Sequence, residues 1–259
     1  MGLTLAPSTA NRPPRIILLG VEKIGKSTFA SGAPAPVFCP IKGEEGIDDI
    51  NVPAYAPAAS FDGLMANLRE LATEDHDRKT VVIDSASALE PLVWQKVCEE
   101  NNADSIEKVM GGYGKGYGEA LGVWHELCDA LDYLREVKGM GCVIIGHVKA
   151  KRFDDPTGES YDRYHMDAHD KAVARLFRWA DSILFANTKT LVRTEDVGFN
   201  KEKKRAVDPT AGARWLFTQQ RPAHPGGGRG PYGQIPYELP LEWAAFEAAV
   251  NEAKGGKQQ

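Results

Sequence analysis

The chain has 259 residues, of which 42% are hydrophobic and 26% charged, and this balance is typical of a globular protein with one large α/β domain. Its net charge of -5 excludes a broadly basic protein, so any contact with nucleic acid must come from local patches. No apolar run approaches the roughly 20 residues that span a bilayer. Residues 1–14 lack the basic start and apolar core of a secretory signal and are expected to be a disordered leader. We therefore expect a cytoplasmic protein that does not contact membranes.

Short apolar runs alternate with amphipathic segments along the rest of the chain. Strands are predicted at 15–19, 36–39, 80–83, 142–145 and 182–185, and helices from 27 and at 61–71, 89–99, 119–137, 170–179 and 241–253. Such alternation predicts an α/β fold with a mainly parallel central sheet flanked by helices. Two later strands, 191–194 and 214–218, are expected to be antiparallel at the sheet edge. Residues 15–220 would form the core, and 221–259 a Pro/Gly-rich loop and a terminal helix packed on it.

The strongest motif is GVEKIGKS at 20–27, which matches G-x-x-x-x-G-K-[ST] between an apolar strand and a helix. Backbone N–H groups of such a loop, together with the helix N-terminus, face the phosphates of a nucleotide. Lys26 is expected to reach the β- and γ-phosphates, Ser27 to bind Mg²⁺, and Thr28 to lie at the α-phosphate. The expected nucleotide-binding residues are Gly20, Val21, Glu22, Lys23, Ile24, Gly25, Lys26, Ser27 and Thr28.

Polar residues follow three other predicted strands, at the edge where the phosphates would lie. Asp84 ends the strand TVVI and is expected to orient the water shell of Mg²⁺, with a strand-capping aspartate as the alternative. Glu44 or Glu45 would position the attacking water, and Glu44 is favoured; both could instead be solvated glutamates of an acidic turn. In P-loop ATPases with an inserted strand, the tip of that strand faces the γ-phosphate. His147 follows the strand predicted at 142–145 and is a candidate catalytic residue that would sense the loss of the γ-phosphate. The alternative is an ordinary histidine at the end of a strand.

The order of these parts resembles the RecA/RadA recombinase core, and more closely the small phage-encoded RecA-like ATPases used as single-strand annealing proteins, the Sak group. The resemblance rests on GVEKIGKSTF, PVF with EEGIDDINV, VVIDS, GGYGKGY, VIIGHVKAKRFDDPTGESYDRY and RWADSILFAN, between about residues 16 and 187. It implies a RecA-like P-loop NTPase core that hydrolyses ATP with Mg²⁺. It also implies binding of single-stranded DNA, annealing or homologous recombination of phage DNA, and a homo-oligomeric ring or filament, with a single-strand binding protein as a further candidate partner.

In the families that this chain resembles, two mobile loops line the DNA path, and by position they correspond to residues 109–118 and 148–163. The first contains GGYGKGYG, whose glycines are unsuited to a regular helix. Its tyrosines can stack on bases and its lysine can meet a phosphate. The DNA-binding candidates are Tyr113, Lys115, Tyr117, Lys149, Lys151, Arg152 and Arg163. The alternatives are a flexible surface loop for the first segment and contacts with a neighbouring subunit's ATP for the second, where four acidic residues nearly cancel the charge.

Other functions remain open at this point. A helicase, helicase loader or packaging-type motor would share the same P-loop. So would a non-hydrolysing module in which ATP binding orders an interaction surface. His165 and His169 have the i, i+4 spacing of zinc ligands on a helix, but no third ligand is evident. KEKKR at 201–205 is expected to be a solvated loop.

Overall fold

A computed structural model describes residues 12–44, 46–189, 191–196, 202–207 and 209–256. Its strands are β1 Arg15–Gly20, β2 Pro36–Pro40, β3 Thr80–Asp84, β4 Gly141–Gly146, β5 Val148–Phe153, β6 Tyr161–Met166, β7 Ser182–Thr188, β8 Leu191–Asp196, β9 Glu202–Val207, β10 Arg214–Phe217, β11 Gly227–Gly228 and β12 Glu238–Pro240. Its α-helices are α1 Lys26–Ser31, α2 Phe61–Thr73, α3 Ala86–Glu100, α4 Gly116–Val137, α5 Asp170–Trp179 and α6 Trp243–Gly255.

The central sheet has the strand order β12-β10-β7-β1-β4-β3-β2, and β11 pairs with the first two residues of β7. Neighbours from β7 to β2 are parallel, whereas β10, β11 and β12 pair antiparallel. The predicted fold class is confirmed: this is an α/β P-loop core with a mainly parallel sheet, flanking helices and antiparallel edge strands. The expected insertion of β4 between β1 and β3 is also present, so the carboxyl ends of β1, β4 and β3 lie side by side.

Alternate residues of β1 enter two cores on opposite faces of the sheet, because successive side chains of a strand point to opposite sides. Ile17 and Leu19 belong to the core that α2, α3, α4 and α5 cover. Ile16 and Leu18 belong to the core that α1 and α6 cover, where Phe29 packs 5.3 Å from Trp243. Burial on both faces explains why the parallel strands are continuous apolar runs.

The structure corrects several details of the predicted elements. Helix α4 begins at Gly116, inside the glycine stretch, because Gly116 packs so closely on the Ile106 carbonyl that a Cβ atom would lie 2.1 Å from its oxygen. Strand β8 pairs with β9 in a separate hairpin and does not join the sheet edge, and β9 includes 202–205 of the expected loop. Short strands β11 and β12 interrupt the Pro/Gly-rich segment that was expected to be loop.

The segment 148–163 is also different from the expected loop, since most of it forms the antiparallel hairpin β5–β6. His165 lies on β6 and His169 caps α5, so the two histidines do not share a helix. Residues 1–11 of the expected leader, Glu45 and Lys201 lie outside the described residues. None of the helices within the described ranges combines the length and the apolar character needed to cross a membrane.

Candidate functional site

The P-loop connects the end of β1 to the start of α1. Gly25 has φ 104°, a left-handed conformation that glycine adopts without a steric penalty. Lys26 is only 6% exposed, and its Nζ donates to the carbonyl oxygens of Gly20 at 3.0 Å and Val21 at 2.9 Å. Burial lowers the pKa of Lys26, although the negative charges of nearby carboxylates oppose this shift. Backbone carbonyls of the loop therefore bind the desolvated ammonium group of Lys26. This is the group that the motif predicts to contact the phosphates.

Asp84 and Ser27 meet beside the P-loop, as their predicted Mg²⁺ roles require. Ser27 Oγ donates to Asp84 Oδ2 at 2.7 Å. Asp84 is 3% exposed, and this burial raises its pKa, while the hydrogen bond from Ser27 opposes the rise. A hydroxyl and a carboxylate are oxygen ligands of the kind that Mg²⁺ takes when phosphate oxygens and waters complete its shell. No cluster of three or more His, Cys, Asp or Glu that could hold a metal ion exists in the described part of the chain.

Glu44 lies in the turn after β2 and accepts hydrogen bonds from two neighbours. Ser85 Oγ lies 2.5 Å from Glu44 Oε1, and His147 Nε2 lies 3.1 Å from the same oxygen. Burial acts to raise the pKa of Glu44, but the hydrogen bonds from His147 and Ser85 and the nearby positive charge outweigh it and hold the pKa below its ordinary value. Oε2 is less constrained, with His147 Nε2 at 3.4 Å. The turn thus presents an ionised carboxylate whose Oε2 has only the longer contact with His147.

His147 connects this carboxylate to the P-loop and to the hairpin β5–β6. Its Nδ1 lies 3.4 Å from Lys26 Nζ, and its Nε2 faces Glu44. Its backbone N–H donates to Ser87 Oγ at 3.1 Å. β4 ends at Gly146 and β5 begins at Val148, so His147 is the single residue between β4 and the hairpin.

All of these groups border one cleft of about 530 Å³ at the carboxyl edge of the parallel strands. The cleft is also lined by four residues that the sequence did not single out, namely Gly46, Asp49, Ile50 and Arg214. Asp49 lies in the acidic turn that was already assigned to this edge. Arg214 could have been found from one signal: a strand that runs antiparallel starts where its parallel neighbours end.

The DNA-binding candidates of the glycine stretch lie in different environments. Tyr113 is fully exposed. Lys115 donates to the Met110 carbonyl at 3.3 Å. Tyr117 is packed into the molecule: its ring stacks on His169 with centroids 4.2 Å apart and meets Trp94 edge-on at 5.6 Å. One face of the Tyr117 ring is therefore already occupied, whereas Tyr113 offers both faces to solvent.

The candidates of the hairpin β5–β6 are not among the residues that line the cleft, and most have intramolecular contacts. Lys149 pairs with Asp167 at 2.8 Å, and Lys151 pairs with Asp170 at 2.7 Å. The Arg163 guanidinium lies 5.1 Å from the centre of the Phe153 ring. Arg152 is exposed, opposite Asp162 in the hairpin register.

A comparison with known protein families gives a match. Residues 12–230 match the family described as AAA domain. A search of curated proteins gave no match. The family match covers well over half of the chain and includes the P-loop, the Asp84 strand and the His147 strand. The protein therefore belongs to the AAA domain family of P-loop nucleotide-binding proteins.

Proposed function

We propose that the protein binds ATP together with Mg²⁺ and hydrolyses it, with release of the γ-phosphate. The observation that carries this proposal is the continuous chain of contacts from Lys26 to His147 to Glu44 at the mouth of the P-loop. The loop N–H groups and Lys26 would bind the phosphates, and Ser27 and Asp84 would hold Mg²⁺, which supplies charge neutralisation when bound. Glu44 would accept a hydrogen bond from the attacking water and orient it.

The state of Glu44 supports the role of water-positioning base. A base must be ionised at the working pH, and the lowered pKa of Glu44 keeps it so. Oε1 accepts from Ser85 and His147, which fixes the carboxylate plane and leaves Oε2 for a water molecule. When ATP binds, Lys26 would exchange its loop carbonyls for phosphate oxygens, so its contact with His147 would respond to the nucleotide.

Turnover and binding measured in parallel test this proposal. Glu44→Gln is expected to retain ATP binding in calorimetry and to lower the rate of phosphate release by about 10²- to 10⁴-fold, the usual contribution of a general base. Glu126→Gln, an exposed glutamate on α4, serves as the matched control and should hydrolyse ATP like the wild type. Equal turnover in Glu44→Gln and the wild type would remove the assignment. A wild type that binds but does not turn over ATP would favour the non-hydrolysing module.

As a second candidate function, we propose that ATP state controls binding and annealing of single-stranded DNA by an oligomer. Support comes from the direct connection of His147 to the hairpin β5–β6 and from two exposed groups suited to DNA, Tyr113 and Arg152. Fluorescence anisotropy on a labelled oligonucleotide should show weaker binding for Tyr113→Ala with Arg152→Ala. Annealing of complementary strands distinguishes this function from that of a helicase, which would unwind a duplex. Light scattering with ATP, Mg²⁺ and oligonucleotide should show an assembly larger than the monomer.

A further inference from the structure

Arg214 is the first residue of β10 and lies at the nucleotide edge of the sheet. β10 runs antiparallel to β7, with Arg214 opposite Thr188, the last residue of β7. The start of β10 therefore coincides with the carboxyl ends of the parallel strands, where the P-loop lies. Its backbone is fixed, because the Arg214 carbonyl accepts from Leu241 N at 3.1 Å and the next residue, Trp215, pairs with Pro240 of β12.

The Arg214 guanidinium lies beside Gly25 of the P-loop. Nη1 lies 2.9 Å from the position that a Cβ atom on Gly25 would occupy. Gly25 precedes Lys26 at the start of α1, where the loop N–H groups converge on phosphate. The absence of a side chain at Gly25 thus allows a cation from a distant part of the chain to approach the phosphate-binding loop.

The charge of the cleft favours a role for this cation in binding an anion. The cleft lining includes four carboxylates, Glu22, Glu44, Asp49 and Asp84, and three cations, Lys23, Lys26 and Arg214. Among the described residues, no ion pair involves Arg214, and its side chain is exposed to the cleft. Acidic groups already outnumber the cations that line the cleft, and a nucleotide adds further negative charge. Each cation of the lining therefore helps to offset the charge of a bound nucleotide.

The strand order decides which part of the nucleotide Arg214 faces. The Mg²⁺ pair Ser27–Asp84 and the Glu44–His147 pair lie toward β4, β3 and β2, which is the γ-phosphate side of the P-loop. Arg214 on β10 lies on the other side of β1, beyond β7. The guanidinium therefore flanks the loop at the end that is remote from the γ-phosphate.

We propose that Arg214 binds the nucleotide within its own subunit, at the α-phosphate and ribose. The proposal rests on ATP being the ligand of the P-loop. A guanidinium there donates charge-assisted hydrogen bonds to groups that ATP and ADP share. Arg214 consequently contributes to the affinity for both nucleotides. Lys26 and His147, not Arg214, would respond to the presence of the γ-phosphate.

Calorimetric titration of ATP and of ADP in the presence of Mg²⁺ tests this assignment. Arg214→Ala should raise both dissociation constants by about tenfold, which corresponds to about 1.4 kcal/mol. Arg214→Lys should recover part of the affinity, because a lysine keeps the charge but not the fork of donors. Arg69→Ala, an exposed arginine on α2, is the matched control and should bind like the wild type.

Two outcomes would overturn the proposal. Unchanged constants for both nucleotides would show that Arg214 does not bind them, and weakening of ATP alone would place it at the γ-phosphate. The thermal melting of the nucleotide-free variants shows whether a loss of affinity reflects misfolding. Failure of the proposed function is separate from these outcomes: there the wild type itself would fail to bind ATP or to hydrolyse it.

Discussion

His147 Nε2 lies 3.1 Å from Glu44 Oε1, although the two residues follow strands, β4 and β2, that are separated in the sheet by β3. The contact joins the residue that would orient water to the residue that leads into the hairpin β5–β6. The contact also affects the ionisation of Glu44. Burial raises the pKa of Glu44, and the hydrogen bond from His147 is the largest of the effects that lower it.

Replacing His147 should therefore change the pH dependence of ATP hydrolysis. In the wild type, the pKa of Glu44 is depressed, so the carboxylate stays ionised and activity is lost only as pH falls through that depressed value. In His147→Ala, the hydrogen bond and the charge effect of His147 that lower the pKa of Glu44 are lost, so that pKa rises and the acid limb of the kcat profile should move to higher pH. The fall in kcat at neutral pH should be smaller than the about 10²- to 10⁴-fold expected for loss of the base itself.

His125→Ala, an exposed histidine on α4, is the control for this experiment. Profiles of kcat against pH for the three proteins give the comparison. An acid limb that is the same in His147→Ala and the wild type would show that His147 does not act on the ionisation of Glu44.

Asp84→Asn should stabilise the nucleotide-free protein while it weakens Mg²⁺-dependent binding. The pKa of Asp84 is raised in the folded state by burial, so the ionised form that exists at higher pH costs folding free energy. A neutral amide removes this cost, and the melting temperature should rise by a few degrees, at about 2–4 °C per kcal/mol for a protein of this size.

The measurement is thermal unfolding as a function of pH, combined with ATP titrations with and without Mg²⁺. The gain in melting temperature should shrink as pH falls, because Asp84 becomes protonated in the wild type as well. In the titrations, Mg²⁺ should enhance ATP affinity less for Asp84→Asn than for the wild type. An Asp84→Asn protein with undiminished Mg²⁺ enhancement would contradict the metal role.

The local sequence was sufficient to predict the phosphate side of the site. Gly20–Thr28, Glu44, Asp84 and His147 all follow short apolar strands, and parallel strands end at one edge of a sheet, so their proximity follows from the pattern. Arg214 was not singled out, although its strand was expected to be antiparallel at the sheet edge, because the sequence does not show which strand β10 joins after the intervening hairpin, β8–β9. The position and direction of β10 are determined by its pairing with β7 and β12, which are distant from it in the sequence.

The glycine stretch shows a second limit of the sequence. Its composition predicts irregular backbone, which is correct for Gly111–Gly114, where every residue has positive φ. Tertiary packing then overrides helix propensity at Gly116, because close approach to the Ile106 carbonyl requires glycine. The motif therefore combines an exposed turn that carries Tyr113 with the first turn of a packed helix that carries Tyr117.

The two tyrosines should differ in stability measurements. Tyr117→Ala removes the stack on His169 and the edge contact with Trp94 and should lower the free energy of unfolding by about 1–3 kcal/mol. Tyr113 is fully exposed, so Tyr113→Ala should stay within about 0.5 kcal/mol of the wild type. Urea unfolding followed by circular dichroism measures both. Equal stability of the two variants would mean that the Tyr117 packing contributes nothing to the fold.

Two glycines of α4 give an internally matched test of why the helix starts where it does. In Gly116→Ala, the added Cβ would lie 2.1 Å from the Ile106 oxygen and 3.0 Å from Val109 Cβ, so the backbone must shift. We expect a loss of about 1–3 kcal/mol in the free energy of unfolding, as for other overpacked positions. Gly122 is an exposed residue of the same helix, with nothing within 4 Å of its Cβ position. Gly122→Ala should therefore stabilise the protein by about 0.5–1 kcal/mol through helix propensity alone.

Urea unfolding of Gly116→Ala and Gly122→Ala measures the two effects. Because both variants add the same methyl group to one helix, a difference in their stability reflects the surroundings of each glycine. Opposite signs would establish that Gly116 is required by its packing against Ile106, and that the rest of the helix is limited only by the intrinsic cost of glycine. If both substitutions stabilise the protein, Gly116 is not held against the Ile106 carbonyl, and the helix start is set by propensity. The same experiment therefore tests the packing that separates the Tyr113 turn from the Tyr117 helix.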